Sequence, residues 1–147
     1  MSSQKLTTQK ESLGYRLKQT QHALRLRMDE ALRPLNLTTP QYAVLSQLEM
    51  RPGISNAALA RAAFITPQSM HGILCNLEKN GLIERTKDAH HGRILCTQLT
   101  DRGEGALKEC HRLIAEAENI MTASLSKENK NLLKILLEEC FKNLNLG

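Results

Sequence analysis

The chain has 147 residues, 41% of them hydrophobic, with a formal net charge of +5. That length suits one unit with a buried core. No stretch approaches the roughly 18 apolar residues of a membrane span, and the start MSSQKLTTQKES lacks a signal peptide's apolar run. A cytoplasmic protein is expected. With two tyrosines, two phenylalanines and no tryptophan, a module that stacks single-stranded bases on aromatic platforms is poorly supported. Four cysteines, Cys75, Cys96, Cys110 and Cys140, show no CxxC spacing and read as free thiols in a reducing compartment.

Leu13, Leu17, Leu24, Met28 and Leu35 recur at close to helical spacing, predicting a long N-terminal helix that stops near Arg33-Pro34. Thr38-x-x-Gln41 is a capping box, and Tyr42, Val44, Leu45 and Leu48 then give a helix to Glu49 an apolar face. Arg51-Pro52-Gly53 is a turn. Ser55 is an N-cap for a short helix that buries Ala58, Leu59 and Ala62 or Ala63, small enough for a close crossing. Thr66-Pro67 starts the next helix, since threonine caps and proline at the first position gives up no needed donor. Met70, Ile73, Leu74 and Leu77 form its apolar stripe, and Asn80-Gly81 ends it.

The opposite side of that helix carries Gln68, Gly72, Cys75, Asn76 and Lys79, with Ser69 and His71 on the flanks. Short polar side chains at the positive end of a helix suit the major groove. Two β-like runs follow, Leu82 to Thr86 and Ile94 to Leu99, joined by a tip with Lys87, His90, His91, Gly92 and Arg93. A cationic hairpin beside such a helix can track phosphates or enter the minor groove. Two short helices followed by a basic hairpin form a device for reading DNA. The candidate DNA-binding residues are Ser55, Thr66, Gln68, Ser69, His71, Gly72 and Asn76 on the helices, and Lys87, His91 and Arg93 on the hairpin.

Beyond the hairpin, Leu107, Cys110, Ile114, Ala117 and Met121 mark one long helix. Leu132, Leu133, Leu136, Leu137, Cys140, Phe141 and Leu144 mark another with a double-width stripe. Such faces exceed what a small reading head can cover, which predicts a two-fold dimer of interdigitated terminal helices with its reading helices about one DNA turn apart, the alternative being an intrachain helical bundle. The fold class expected is mainly α (α+β), a winged helix-turn-helix with long N- and C-terminal dimerisation helices. The chain forms a single domain, with its reading part over about 37–103 and its dimerisation part over about 10–36 and 104–146.

Residues 103–147 hold six Lys/Arg against seven acids, so the positive charge lies in the first two thirds of the chain. No glycine-rich phosphate loop, GxSxG or HExxH is present, so neither an enzyme nor a cofactor is expected. Cys110 and His111 are helical neighbours pointing about 100° apart, so no metal site is expected. Two alternatives stand beside DNA reading. A helical protein–protein interaction module on the same scaffold would need an acidic or apolar outward face, which is missing. A thiol-based sensor would use Cys75, where oxidation adds bulk and polarity on the groove side.

Leu37-Thr38 with Gln41, the segment from Ser55 to Leu59-Ala60, Leu77 to Arg85, and Arg93 followed by Leu99-Thr100-Asp101-Arg102-Gly103 resemble the MarR family of bacterial regulators. The resemblance implies homodimers that repress transcription from a pseudo-palindromic duplex until a small-molecule effector or oxidant releases them. It also implies a ligand pocket where the N-terminal helix, the helix of Tyr42 and the helix after Thr100 meet, with Tyr15, His22 and Tyr42 as its polar groups. The chain departs from the pattern at three places. His91 stands where the family wing carries the aspartate that orients its arginine, here Arg93; Gly72 and His71 replace a common arginine and threonine. Family base contacts therefore cannot be copied onto this helix.

Overall fold

The computed structural model describes residues 11–87, 89–90 and 92–145, with Ile94 and Leu95 described by backbone only. Helix α1 spans Leu13–Leu32. The Ser12 hydroxyl caps it, accepting from the Tyr15 N–H at 3.1 Å. Arg33-Pro34 converts its end into a single 3₁₀ turn, Arg33–Leu35, and Asn36 follows with φ 56°, a left-handed conformation that asparagine tolerates. Helix α2 spans Thr39–Met50, and both halves of the expected capping box at Thr38 and Gln41 are present.

Helices α3, Asn56–Ala62, and α4, Pro67–Lys79, form the helix-turn-helix. Ser55 and Thr66 cap them by accepting from Ala58 N–H and Ser69 N–H, each at 3.2 Å. Leu59, Ala60 and Ala63 take the buried positions of α3, while Ala58 and Ala62 are only half-buried. In the turn between the helices, Phe64 has φ 57° and is 84% exposed. A bulky side chain is rare there. Strands β1, Ile83–Lys87, and β2, Ile94–Leu99, form an antiparallel hairpin that pairs Ile83 with Leu99, Arg85 with Thr97 and Lys87 with Ile94, with an irregularity between Thr86 and Lys87.

Helix α5, Asp101–Met121, returns under the head and lies along α1. Its cap, Thr100, accepts from Gly103 N–H at 3.0 Å while donating to the Gly81 carbonyl at 2.6 Å, which ties the start of α5 to the end of α4. Leu32, Leu45, Leu48, Leu59, Leu74, Leu77, Ile83 and Leu107 are fully buried, so every element from the end of α1 to α5 meets in one core.

Helix α6, Lys127–Leu144, is different: its residues are exposed apart from the partly covered Lys130. Leu132, Leu136, Leu137 and Phe141 are 43–55% exposed. Cys140, on the apolar stripe read from the sequence, is exposed because nothing in its own chain covers this face. The first half of α1 is equally bare, with Leu13 82% and Leu17 52% exposed. Among the described residues no helix is long and apolar enough to cross a membrane.

Candidate nucleic-acid interface

Met70, Leu74 and Leu77 anchor α4 in the core, and that alone turns Gln68, Ser69, His71, Gly72, Cys75 and Asn76 outward; all six are exposed. The first turn holds no acidic residue, so the positive end of the helix is not neutralised. Ser55 and Thr66 are exposed too, although their hydroxyl oxygens serve as caps. A capping oxygen leaves its O–H free to donate, so capping and phosphate contact are compatible.

Glu78 is the single carboxylate on α4, and it points at β1: Arg85 Nη2 meets its Oε1 at 2.8 Å. The Arg85 side chain is only 10% exposed. That guanidinium, donating to Glu78, holds the carboxyl below the ordinary carboxylate range. The same Nη2 lies 3.6 Å from Cys75 Sγ, which His71 Nε2 approaches at 3.8 Å from the other turn of the helix. The outward face of α4 is thus cleared of free negative charge, and its thiol sits beside a cation. Arg85 and Glu78 were not among the sequence candidates. The polarity pattern of the helix gave no sign of them, because the partner is supplied by the next strand.

Gln41 on α2 reaches α4: its Nε2 donates to Asn76 Oδ1 at 2.8 Å, and Asn80 Nδ2 donates to the same oxygen at 3.1 Å. At the hairpin, Lys87 and Arg93 flank the tip end of the paired strands, both exposed, and Gly92 takes φ 65° in the bend. His91, with Asp88, lies outside the described residues.

The expected ligand trio is not assembled. Tyr15 and His22 are exposed on α1, whereas the Tyr42 hydroxyl contacts His111 Nδ1 on α5 at 2.9 Å. Burial pushes the Tyr42 hydroxyl above its usual 10.0. It therefore stays protonated at neutral pH, and on the other side of the same ring His111 Nε2 faces Glu49 Oε1 at 3.0 Å. Glu49 and His111 line a cleft of about 400 Å³ with Lys108 and Glu104. A wider groove of about 860 Å³ runs between α1, α2 and α4, bordered by Arg25, Arg33, Leu37, Gln41, Ile73 and Asn76. Among the described residues no group of three or more His, Cys, Asp or Glu is placed to hold a metal ion.

Two short helices in a tight turn, the second outward-facing and cleared of acidity, then a two-stranded hairpin with lysine and arginine at its tip, define a winged helix-turn-helix transcriptional regulator. A profile of the MarR family matches residues 35–94. The HTH-type transcriptional repressor Rv2887 of Mycobacterium tuberculosis is 36% identical over 127 residues, 86% of this chain and 91% of its own. The chain belongs to the MarR family. The HTH-type transcriptional regulator FarR of Neisseria gonorrhoeae is 31% identical, over 89% of this chain and 90% of its own. Among solved structures, Rv2887 in complex with salicylic acid is similar with a TM-score of 0.75 at 36% identity, covering 88% of this chain and 96% of that one. The transcriptional repressor CouR bound to a 23-mer DNA duplex gives a TM-score of 0.79 at 30% identity, covering 88% and 92%.

Proposed function

We propose that two copies of this chain bind one pseudo-palindromic operator in the cytoplasm as a repressor, each placing α4 in the major groove and its wing against the backbone, with binding rather than catalysis as the whole of the role. The observation that carries this is the outward face of α4, where six exposed small or polar residues surround an unneutralised helix start and the single carboxylate is held by Arg85. The complexes of Rv2887 with DNA and of CouR with a 23-mer duplex support the same use of the fold. Gln68, Ser69, His71 and Gly72 face the bases, Ser55, Thr66 and Lys87 the phosphates, and Arg93 the minor groove.

Release is assigned to an aromatic carboxylate in the groove between α1 and α4. Arg33 supplies a cation there, Leu37 and Ile73 supply apolar surface, and the groove's far wall is the recognition helix itself. The salicylic acid complex of Rv2887 supports that chemistry. An occupant favours a separation of the two heads that no longer matches the groove spacing. The position of Cys75 beside Arg85 and His71 favours a second route, in which a peroxide oxidises the thiol to a sulfenic acid with loss of water or alcohol and so roughens the DNA face.

Selection from random duplexes at low salt tests the main reading: a two-fold consensus is expected, and no enriched sequence would sink it. On that consensus, Arg93→Ala should weaken binding and reduce the salt slope by about one counterion per wing. An unchanged affinity and slope would remove Arg93 from the interface.

A further inference from the structure

The amide of Asn76 has its polarity fixed from outside the recognition helix. The backbone N–H of Thr38, the N-cap of α2, can only donate, and it donates to Gln41 Oε1 at 2.9 Å. Gln41 must therefore present its Nε2 on the other side, where it meets Asn76 at 2.8 Å. An N–H facing Asn76 requires an oxygen there, and Asn80 Nδ2 converges on the same atom at 3.1 Å. Each step follows from donor and acceptor inventories, so the orientation of all three amides is dictated by one backbone N–H. Both lone pairs of Asn76 Oδ1 are engaged, and its Nδ2 has no acceptor among the described residues. Asn76 is exposed on the flank of α4, so those protons are available to DNA.

We infer that Gln41 is a positioning residue for sequence readout: it makes Asn76 a donor-only group toward the operator, so that Asn76 selects guanine rather than the adenine a free asparagine reads. The usual asparagine–adenine pair needs one amide acceptor and one amide donor, and the acceptor here is spent. Guanine offers two acceptors, O6 and N7, on its major-groove edge, where adenine offers only N7 beside a donor and thymine only O4 beside a methyl group. The inference rests on the DNA-reading function proposed above and deepens it by naming what sets one letter of the operator.

Gln41→Glu isolates the effect, because a glutamate at this position still accepts from the Thr38 N–H and keeps the capping box. Its second oxygen then favours a donor, so Asn76 turns its Nδ2 inward and its Oδ1 toward DNA, and Asn80 turns its own amide to present an oxygen to that Nδ2. Selection from random duplexes should show wild type favouring guanine at one position in each half-site. Gln41→Glu should shift that position by about fivefold toward a base that offers a donor, cytosine or adenine, with the rest of the consensus and the melting temperature retained. Asn76→Ala should lose the preference at that position alone. An identical consensus from wild type and Gln41→Glu would overturn the inference, as would an Asn76→Ala protein weakened equally on all sequences, which would mean a phosphate contact. Failure of the wild type to enrich any sequence would be a failure of the function itself and is distinguishable from both.

Discussion

Cys110 and Cys75 show how one residue type takes opposite characters from its surroundings. Cys110 is fully enclosed where α5 meets the core, and burial pushes its thiol from 9.0 up to about 11. Because the folded state resists ionising this thiol, its contribution to stability is complete below about pH 9 and is lost as pH rises toward 11. Thermal melts should therefore fall across that window, and Cys110→Ala should flatten the fall; a fall unaltered by the substitution would assign it to other groups. Cys75, exposed between Arg85 and His71, is open to reagent. Iodoacetamide at pH 8 should label Cys75 in the folded protein and leave Cys110 unmodified until the chain unfolds. Equal labelling of the two thiols would contradict the packing of α5. Arg85 adds a related point: its Nε is buried without a hydrogen-bond partner, so the salt bridge to Glu78 is what compensates that buried cation.

The junction of α4, β1 and α5 has almost no slack. A methyl group on Gly103 would sit 2.0 Å from the Leu82 carbonyl oxygen, and backbone cannot retreat as a flexible side chain can. Gly103→Ala should cost roughly 3 kcal/mol in a denaturant titration, whereas Gly105→Ala, with nothing near its Cβ position, should gain about 0.5–1 kcal/mol from helix propensity and so serves as the control. A neutral Gly103→Ala would mean that the wing and α5 are coupled more loosely than their contacts indicate. Elements of this kind were largely legible in the sequence, because caps act within three residues: Thr38, Ser55 and Thr66 each mark a helix start that the structure keeps. Partners far apart in sequence were not legible. Tyr42 binds His111 across 69 residues, and Gln41 binds Asn76 across 35, and neither pairing leaves a local pattern. The face of α4 could be read from periodicity, but Arg85 clearing it of charge could not, because that depends on how β1 crosses behind the helix. Tyr15 and His22 lie apart from Tyr42 within the chain for the same reason: facing direction on a helix is periodic, whereas rotation of one helix against another is set by packing.

The described chain carries two uncovered apolar faces, the first half of α1 and the whole length of α6. A second copy would bury both at once through a two-fold axis, which is why the double-width stripe of α6 exceeds what one neighbouring helix needs. Replacing Leu133 and Leu137 together with glutamate places two charges on that face; sedimentation should then show a monomer, and binding to a two-half-site operator should drop by at least about a hundredfold. A double variant that remained dimeric would locate the interface elsewhere. If α6 is held only by a partner, then folding of that helix and pairing of the chains are one equilibrium, and the melting temperature rises with protein concentration. The amount of competent regulator then grows faster than the number of chains synthesised. Chains made singly would be left with a bare amphipathic helix, so the competent regulator would fall away faster than the number of chains as expression drops.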